Sequence, residues 1–133
     1  MSAQIIRHET ASQPNDDADH PIPSLAVIDV MAVKKGGGAN LVVVVASPLM
    51  NDPRSQTRLL EKIQGYVRYI ASDEFRSQAG VPTKDNTAIV VKLHPDSAPE
   101  IGGLLATQRD QVLASNASLV VQFLTPKELG TGT

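Results

Sequence analysis

One run, Asn40 to Ser47 (NLVVVVAS), restricts the fold of this chain more than any other. Valine is stiff at χ1 and favours extended backbone. Leu41 to Ala46 shows no alternation of apolar and polar residues. That pattern predicts a central strand covered on both faces, not an edge strand with one side in water. Just before it, Gly36 to Gly38 follow a second β-rich run, LAVIDVMAVKK (Leu25 to Lys35). Glycine reaches positive φ without steric penalty, so the two runs across this short link predict a β-hairpin.

Asp52-Pro53 predicts the start of a helix, because Asp accepts from free N–H groups and Pro suits the first helical position. Leu59, Leu60, Ile63, Tyr66, Val67 and Ile70 recur at helical spacing on one face, out to about Phe75. Arg54, Arg58, Glu61, Lys62 and Arg68 lie mostly on the other face, which reads as solvated. Gly65 weakens such a helix by roughly 1 kcal/mol against Ala, and close packing is the expected reason for it. Ser77 to Asn86 reads as a loop, and Thr87 to His94 (TAIVVKLH) as a third strand. Ser97 and Glu100 have the spacing of a capping box. The helix they open carries Ile101, Leu104, Leu105 and Val112, and Asn116 is its expected left-handed stop. The pair Gly102-Gly103 inside it is again attributed to close packing. Ser118 to Thr125 (SLVVQFLT) reads as the fourth strand.

The order ββαβαβ predicts an α/β protein: a mixed four-stranded sheet with an N-terminal hairpin and two packed helices. An α+β two-layer sandwich is the alternative. Right-handed crossovers running in one direction would give strand order 1-2-3-4 with both helices on one face. One face of Val42 to Val45 would then lack helical cover. Exposed apolar patches mark contact surfaces, and a two-fold homodimer is the commonest way to bury one. Helices on both sides of the sheet, or a tail folded over the bare face, are the competing arrangements.

VIDVMAV from Val27, LLEKIQGYVRYI from Leu59 and the strand–helix–strand from Ala88 to Phe123 resemble a family of short bacterial proteins of unknown function, each about a hundred residues. The resemblance covers nearly everything after residue 23 and implies the same ββαβαβ order. The Gly102-Gly103 pair and the long N-terminal segment depart from that family's pattern. It implies no activity, cofactor or site residue.

Residues 1–23 are polar, with Asp16, Asp17, Asp19 and His20 between Pro14 and Pro21. Such a segment buries too little apolar surface to offset its ordering entropy, so it is expected to be a disordered tail. A single domain over 24–129 and a frayed end at 130–133 complete the expected organisation. There is no cysteine, which removes disulfides, thiolate nucleophiles and cysteine-ligated metals. The net charge of −2 offers no basic excess for phosphates, so nucleic acid is not an expected partner. The longest apolar run falls far short of the roughly 20 residues of a membrane span, and no signal-peptide core is visible. The expected location is cytoplasmic.

Three residues are candidate functional groups. Asp29 stands mid-strand among apolar neighbours, where a carboxylate is costly unless paired or solvated. A general base or metal ligand is the functional reading; the structural reading turns it out of the sheet toward Lys92 or Lys34. His94 ends the third strand, a place where α/β sheets often carry functional groups, and Asp96 is close in sequence. The strand LVVVVA offers no further carboxylates for a nuclease-type site. Gly36 to Gly38 feed a strand instead of a helix N-terminus, which excludes a phosphate loop. With no catalytic constellation, no metal site and no cofactor implied, the expected function is a non-enzymatic interaction module of adaptor or immunity type. The alternative is a small-molecule-binding protein or enzyme using Asp29 and His94 near one end of the sheet.

Overall fold

A computed structural model of the chain describes residues 3–6, 17, 19–25 and 27–129. The elements are β1 (Ala3–Ile6), β2 (Ile28–Val33), β3 (Ala39–Val45), α1 (Pro53–Ile70), α2 (Asp73–Ala79), β4 (Ala88–Leu93), α3 (Glu100–Ala106), α4 (Arg109–Ala114) and β5 (Ser118–Phe123). The strands form one sheet in the order β1-β2-β3-β4-β5. β2 pairs antiparallel with both β1 and β3, while β3, β4 and β5 run parallel. The α/β fold and the ββαβαβ order therefore hold over β2 to β5, with β1 as an added edge strand.

β1 falls inside the stretch expected to be a disordered tail, 1–23. The outer edge of β2 presents unpaired N–H and C=O groups, and such an edge takes up a strand whatever its composition. The pairing runs Ala3↔Ala32, Gln4↔Met31 and Ile6↔Ile28, with an irregularity between Gln4 and Ile6. Ile22 also lies in this stretch, and its side chain belongs to the core. Asp17 and residues 19–23 of the expected tail are described as well; its remainder, and the expected fraying at 130–133, lie outside the described residues.

The β2–β3 link turns as its glycines suggest. Lys34 N–H donates to Gly38 O, and Gly37 and Gly38 have φ of 105° and 84°. Gly38 is also pressed against its neighbour: a Cβ there would stand 2.1 Å from the carbonyl oxygen of Asn86.

One core cluster joins Leu41, Val43 and Val45 of β3, Ile89, Val91 and Leu93 of β4 and Leu119 of β5 to Leu59, Ile63 and Ile70 of α1. Phe75 of α2, Ile101 and Leu105 of α3 and Val112 of α4 belong to the same cluster. All four helices thus pack on one face, which gives two layers. β3 lies mid-sheet as expected, but among the described residues helices cover only one of its faces. Ala39, Leu41, Val43 and Val45 are buried under the helices, whereas Asn40, Val42 and Val44 on the opposite face are half-buried.

Local chemistry changes the helix boundaries. Asp52 caps α1 by accepting from Ser55 N–H at 2.8 Å, with Pro53 next, as expected. The helix stops at Ile70 because Ser72 Oγ accepts from Phe75 N–H and starts α2. α2 runs to Ala79, into the segment expected to be loop. The Ser97–Glu100 capping box does not form, since Ser97 Oγ accepts from Leu49 N–H at 3.0 Å and α3 begins without a side-chain cap. Asn116 does end α4 in the left-handed region, at φ 66°. None of the three helical glycines is required by packing. A Cβ at Gly65 would meet its nearest neighbour at 3.6 Å, and one at Gly102 or Gly103 would meet nothing within 4 Å.

Candidate functional site

The expected basic face of α1 is not solvated. Ser55, Arg58, Lys62 and Tyr66 are buried and follow one another at three- and four-residue steps, so they form one ridge along the helix. Each holds something from the N-terminal side of the sheet. Arg58 donates from Nε and Nη2 to Ile22 O at 2.9 and 2.7 Å. Lys62 Nζ donates to Ser24 O at 2.6 Å, Val27 O at 2.7 Å and Asp29 Oδ1 at 2.9 Å. Tyr66 Oη accepts from Asp29 N–H at 2.9 Å and donates to Val42 O at 2.7 Å. Burial and the neighbouring Asp29 charge raise the pKa of this phenol, keeping it a neutral donor.

Asp29 completes the cluster. The paired register of β2 with β3 reaches Val30↔Val42, and beyond it Asp29 Oδ2 accepts from Val44 N–H at 2.9 Å. A carboxylate and a phenol thus serve backbone groups where β2 leaves the ladder. The partner of Asp29 is Lys62, not Lys92 or Lys34; Lys92 instead pairs with Glu128 at 2.5 Å. Both carboxylate oxygens of Asp29 thus have partners within the fold.

A surface cleft of about 250 Å³ opens beside the start of α1, bordered by Asp17, Asp19, His20, Asp52, Arg54 and Ser55 among others. It brings together a serine, a histidine and an aspartate, but their hydrogen bonds run the wrong way for nucleophilic catalysis. His20 Nδ1 accepts from Ile22 N–H at 2.9 Å, so the ring proton sits on Nε2 and points to Ser55 Oγ, 3.0 Å away. Ser55 Oγ in turn donates to Asp52 Oδ2 at 2.9 Å. An activated serine needs a histidine nitrogen free to accept its proton. Here neither nitrogen is free. Burial, then the charges of Arg58 and Arg54, push the His20 pKa down and favour this neutral ring. The N–H and hydroxyl of Ser55 hold Asp52 below the usual carboxylate range. Asp17 is held low by the Asp19 N–H and then by Arg54, with which it forms an ion pair.

His94 and Asp96 come together in a local turn. Asp96 N–H donates to His94 Nδ1 at 3.0 Å, and the Asp96 carboxylate lies 4.0 Å from the same nitrogen. Asp29 has a separate set of partners, on the far side of β3. Two strand spacings of roughly 4.8 Å separate β2 from β4, so no single small group bridges Asp29 and His94 by hydrogen bonds. Among the described residues no cluster of three or more His, Cys, Asp or Glu side chains is placed to hold a metal ion. Nor is any helix among them long and apolar enough to cross a membrane.

Sequence reasoning missed His20, Arg58 and Lys62. A signal for the last was present: at about 100° per residue, Lys62 lies only about 60° from Leu59 and about 40° from Tyr66 on the helical wheel. That places it inside the apolar arc. No family model, no curated protein and no solved structure matches this chain.

Proposed function

We propose that this protein is a non-enzymatic interaction module of adaptor or immunity type, acting in the cytoplasm through the face of its sheet opposite the helices. One observation carries the reading. Val30, Val42, Val90 and Val120 stand in register across β2, β3, β4 and β5, a single row of valines on the face opposite the helices. At roughly 4.8 Å per strand the row is about 14 Å long. None of these valines belongs to the cluster under the helices; Val90 is buried at 8% exposure, the other three are half-buried, and Val44 lies beside them on the same face. Asn40, Lys92, Ser118 and Gln122 form a polar rim, with Lys92 tied to Glu128. An apolar centre within a polar rim is the usual anatomy of a contact surface.

The occupant we assign is a second copy of this chain, because valine rows crossing on a two-fold axis bury each other without an unpaired charge. The net charge of −2 and the lack of a basic stripe argue against nucleic acid. For the alternative, a small-molecule site using Asp29 and His94, the described hydrogen bonds of the two residues share no partner, and both ring nitrogens of His20 in the Ser55–His20–Asp52 chain are engaged.

Static light scattering over a range of concentrations tests the pairing. The full chain is expected to scatter as a dimer, and Val42→Lys, which places an ammonium group in the middle of the row, as a folded monomer. A parent chain that stays monomeric at every concentration, or a Val42→Lys chain that stays dimeric, would overturn the assignment.

A further inference from the structure

The free edge of the sheet at β5 carries a second, independent feature. Ser118 N–H donates to Thr87 O and Leu124 N–H to Leu93 O, which sets the phase of the parallel ladder: even-numbered residues of β5 turn their N–H toward β4. The N–H and C=O groups of Leu119, Val121 and Phe123 therefore point outward, and among the described residues the sheet ends there. Proteins commonly protect such an edge with a charge, a proline or a bulge. β5, SLVVQF, has no charged residue and no proline, and it pairs with β4 in unbroken register from Ser118 to Phe123.

Beside this edge, on the helix side, lies a groove of about 230 Å³ bordered by Leu93, Ala98, Pro99, Gly102, Val121 and Phe123. No residue lining it is charged. Phe123 is 62% exposed at its mouth. Gly102 is the most informative wall. It sits within α3, where glycine weakens a helix, yet a Cβ there would meet no atom within 4 Å. Nothing in the folded chain needs a glycine at this position. What the missing side chain does is keep the groove open.

We propose that the β5 edge takes up an extended, uncharged segment of a partner protein as a sixth strand, with one bulky apolar side chain of that segment seated in the groove against Gly102. Main-chain pairing to Leu119, Val121 and Phe123 supplies affinity, and the groove supplies selectivity, as in other strand-addition complexes. A cavity of 150 Å³ accepts a benzene ring, so this one has room for an aromatic or branched aliphatic group. The neutral lining selects against a charged one. A second β5 could offer the groove only its Phe123, because its Leu119 and Val121 are already turned toward their own helices, whereas a free segment can set an apolar residue opposite the groove at any register.

The probe is a blocked octapeptide of alternating threonine and apolar residues, with phenylalanine near its centre and lysine at each end, titrated into the full chain and followed by backbone amide NMR. Shifts are expected at the amides of Leu119, Val121, Phe123 and Gly102, with little change across β2. Replacing the peptide's phenylalanine by aspartate should weaken binding at least tenfold, and so should Gly102→Leu, which fills the groove. Gly103→Leu makes the same change to helix propensity one residue away and should bind as the parent does. No shifts at these amides at millimolar peptide, equal binding by Gly102→Leu, or an equal loss in Gly103→Leu would overturn the proposal. So would slow exchange of the Leu119, Val121 and Phe123 amides in the free protein, which would mean a second copy already occupies the edge. Val42→Lys should leave peptide binding unchanged, so this edge and the valine face stand or fall separately.

Discussion

Lys62 has 1% side-chain exposure, and a charge so placed is tolerated only when oxygens replace its water. The carbonyls of Ser24 and Val27 and the Asp29 carboxylate do so. Lys62→Met keeps the length of the side chain but leaves these acceptors without a donor. A loss of about 2–4 kcal/mol is expected, read from the denaturant midpoint; an unchanged midpoint would mean the ammonium group holds nothing. His20 gives a pH dependence with a definite sign. Its pKa is lowered from the ordinary 6.5, so in the window just below that value the unfolded chain binds more protons than the folded one. The stabilisation is complete above pH 6.5 and is lost as the pH falls through the lower folded value. Protonation would place a hydrogen on Nδ1, where Ile22 N–H now donates. Urea unfolding at pH 7.5 and pH 5 should show the difference, and His20→Gln should remove most of it.

At the scale of elements, α1 works as a clamp. Its ridge grips the segment from Ile22 to Val27 by that segment's carbonyl oxygens, which every residue type possesses. This is why composition marked residues 1–23 as a tail. The donors that order Ile22 come from a helix 36 positions away, and the segment's own residues carry no trace of them. What was legible in the sequence was local: the Asp52-Pro53 start, the glycine hairpin and the Asn116 stop each depend on neighbours in the chain. The Ser97 capping box was misread for the opposite reason, because Leu49 N–H, distant in sequence, claims the hydroxyl. The need of Asp29 for a partner was legible, but that partner lay on α1, among residues whose charge suggested solvent. Gly65 offers a direct check of the helix itself. A methyl group there meets only ordinary van der Waals contacts, with Leu25 O at 3.6 Å. Gly65→Ala should therefore raise stability, by up to about 1 kcal/mol; a loss would show the clamp to be tighter at Leu25 than these contacts allow.

On the scale of the whole molecule, the one-sided helical layer governs behaviour. Val30, Val42, Val90 and Val120 stand outside the cluster that joins the sheet to the helices, and among the described residues no helix packs on that side. If two copies bury this face, unfolding becomes a dissociation as well, and the denaturation midpoint must rise with protein concentration. A tenfold increase in concentration should shift the midpoint of the parent chain upward and leave that of Val42→Lys in place. A midpoint independent of concentration in the parent would remove the pairing and leave the sheet face exposed.

The strands stand in the sheet in the order in which they occur in the chain. Every pairing is therefore between successive strands, and none requires a strand to be inserted between two already joined. The sheet can assemble by accretion: β3 and β4 close around α1 and α2, and β2, β1 and β5 add at the margins. The search is short, because each addition closes only the loop to the preceding strand. The same order sets the sequence of loss. Opening begins at β1 and β5 and reaches β3 last, so amide protection should fall outward from Leu41 and Val43 to both edges. The edge assigned to a partner strand lies at the outer end of this gradient, and a bound strand at β5 would be felt as slower exchange at that edge before any change in the centre.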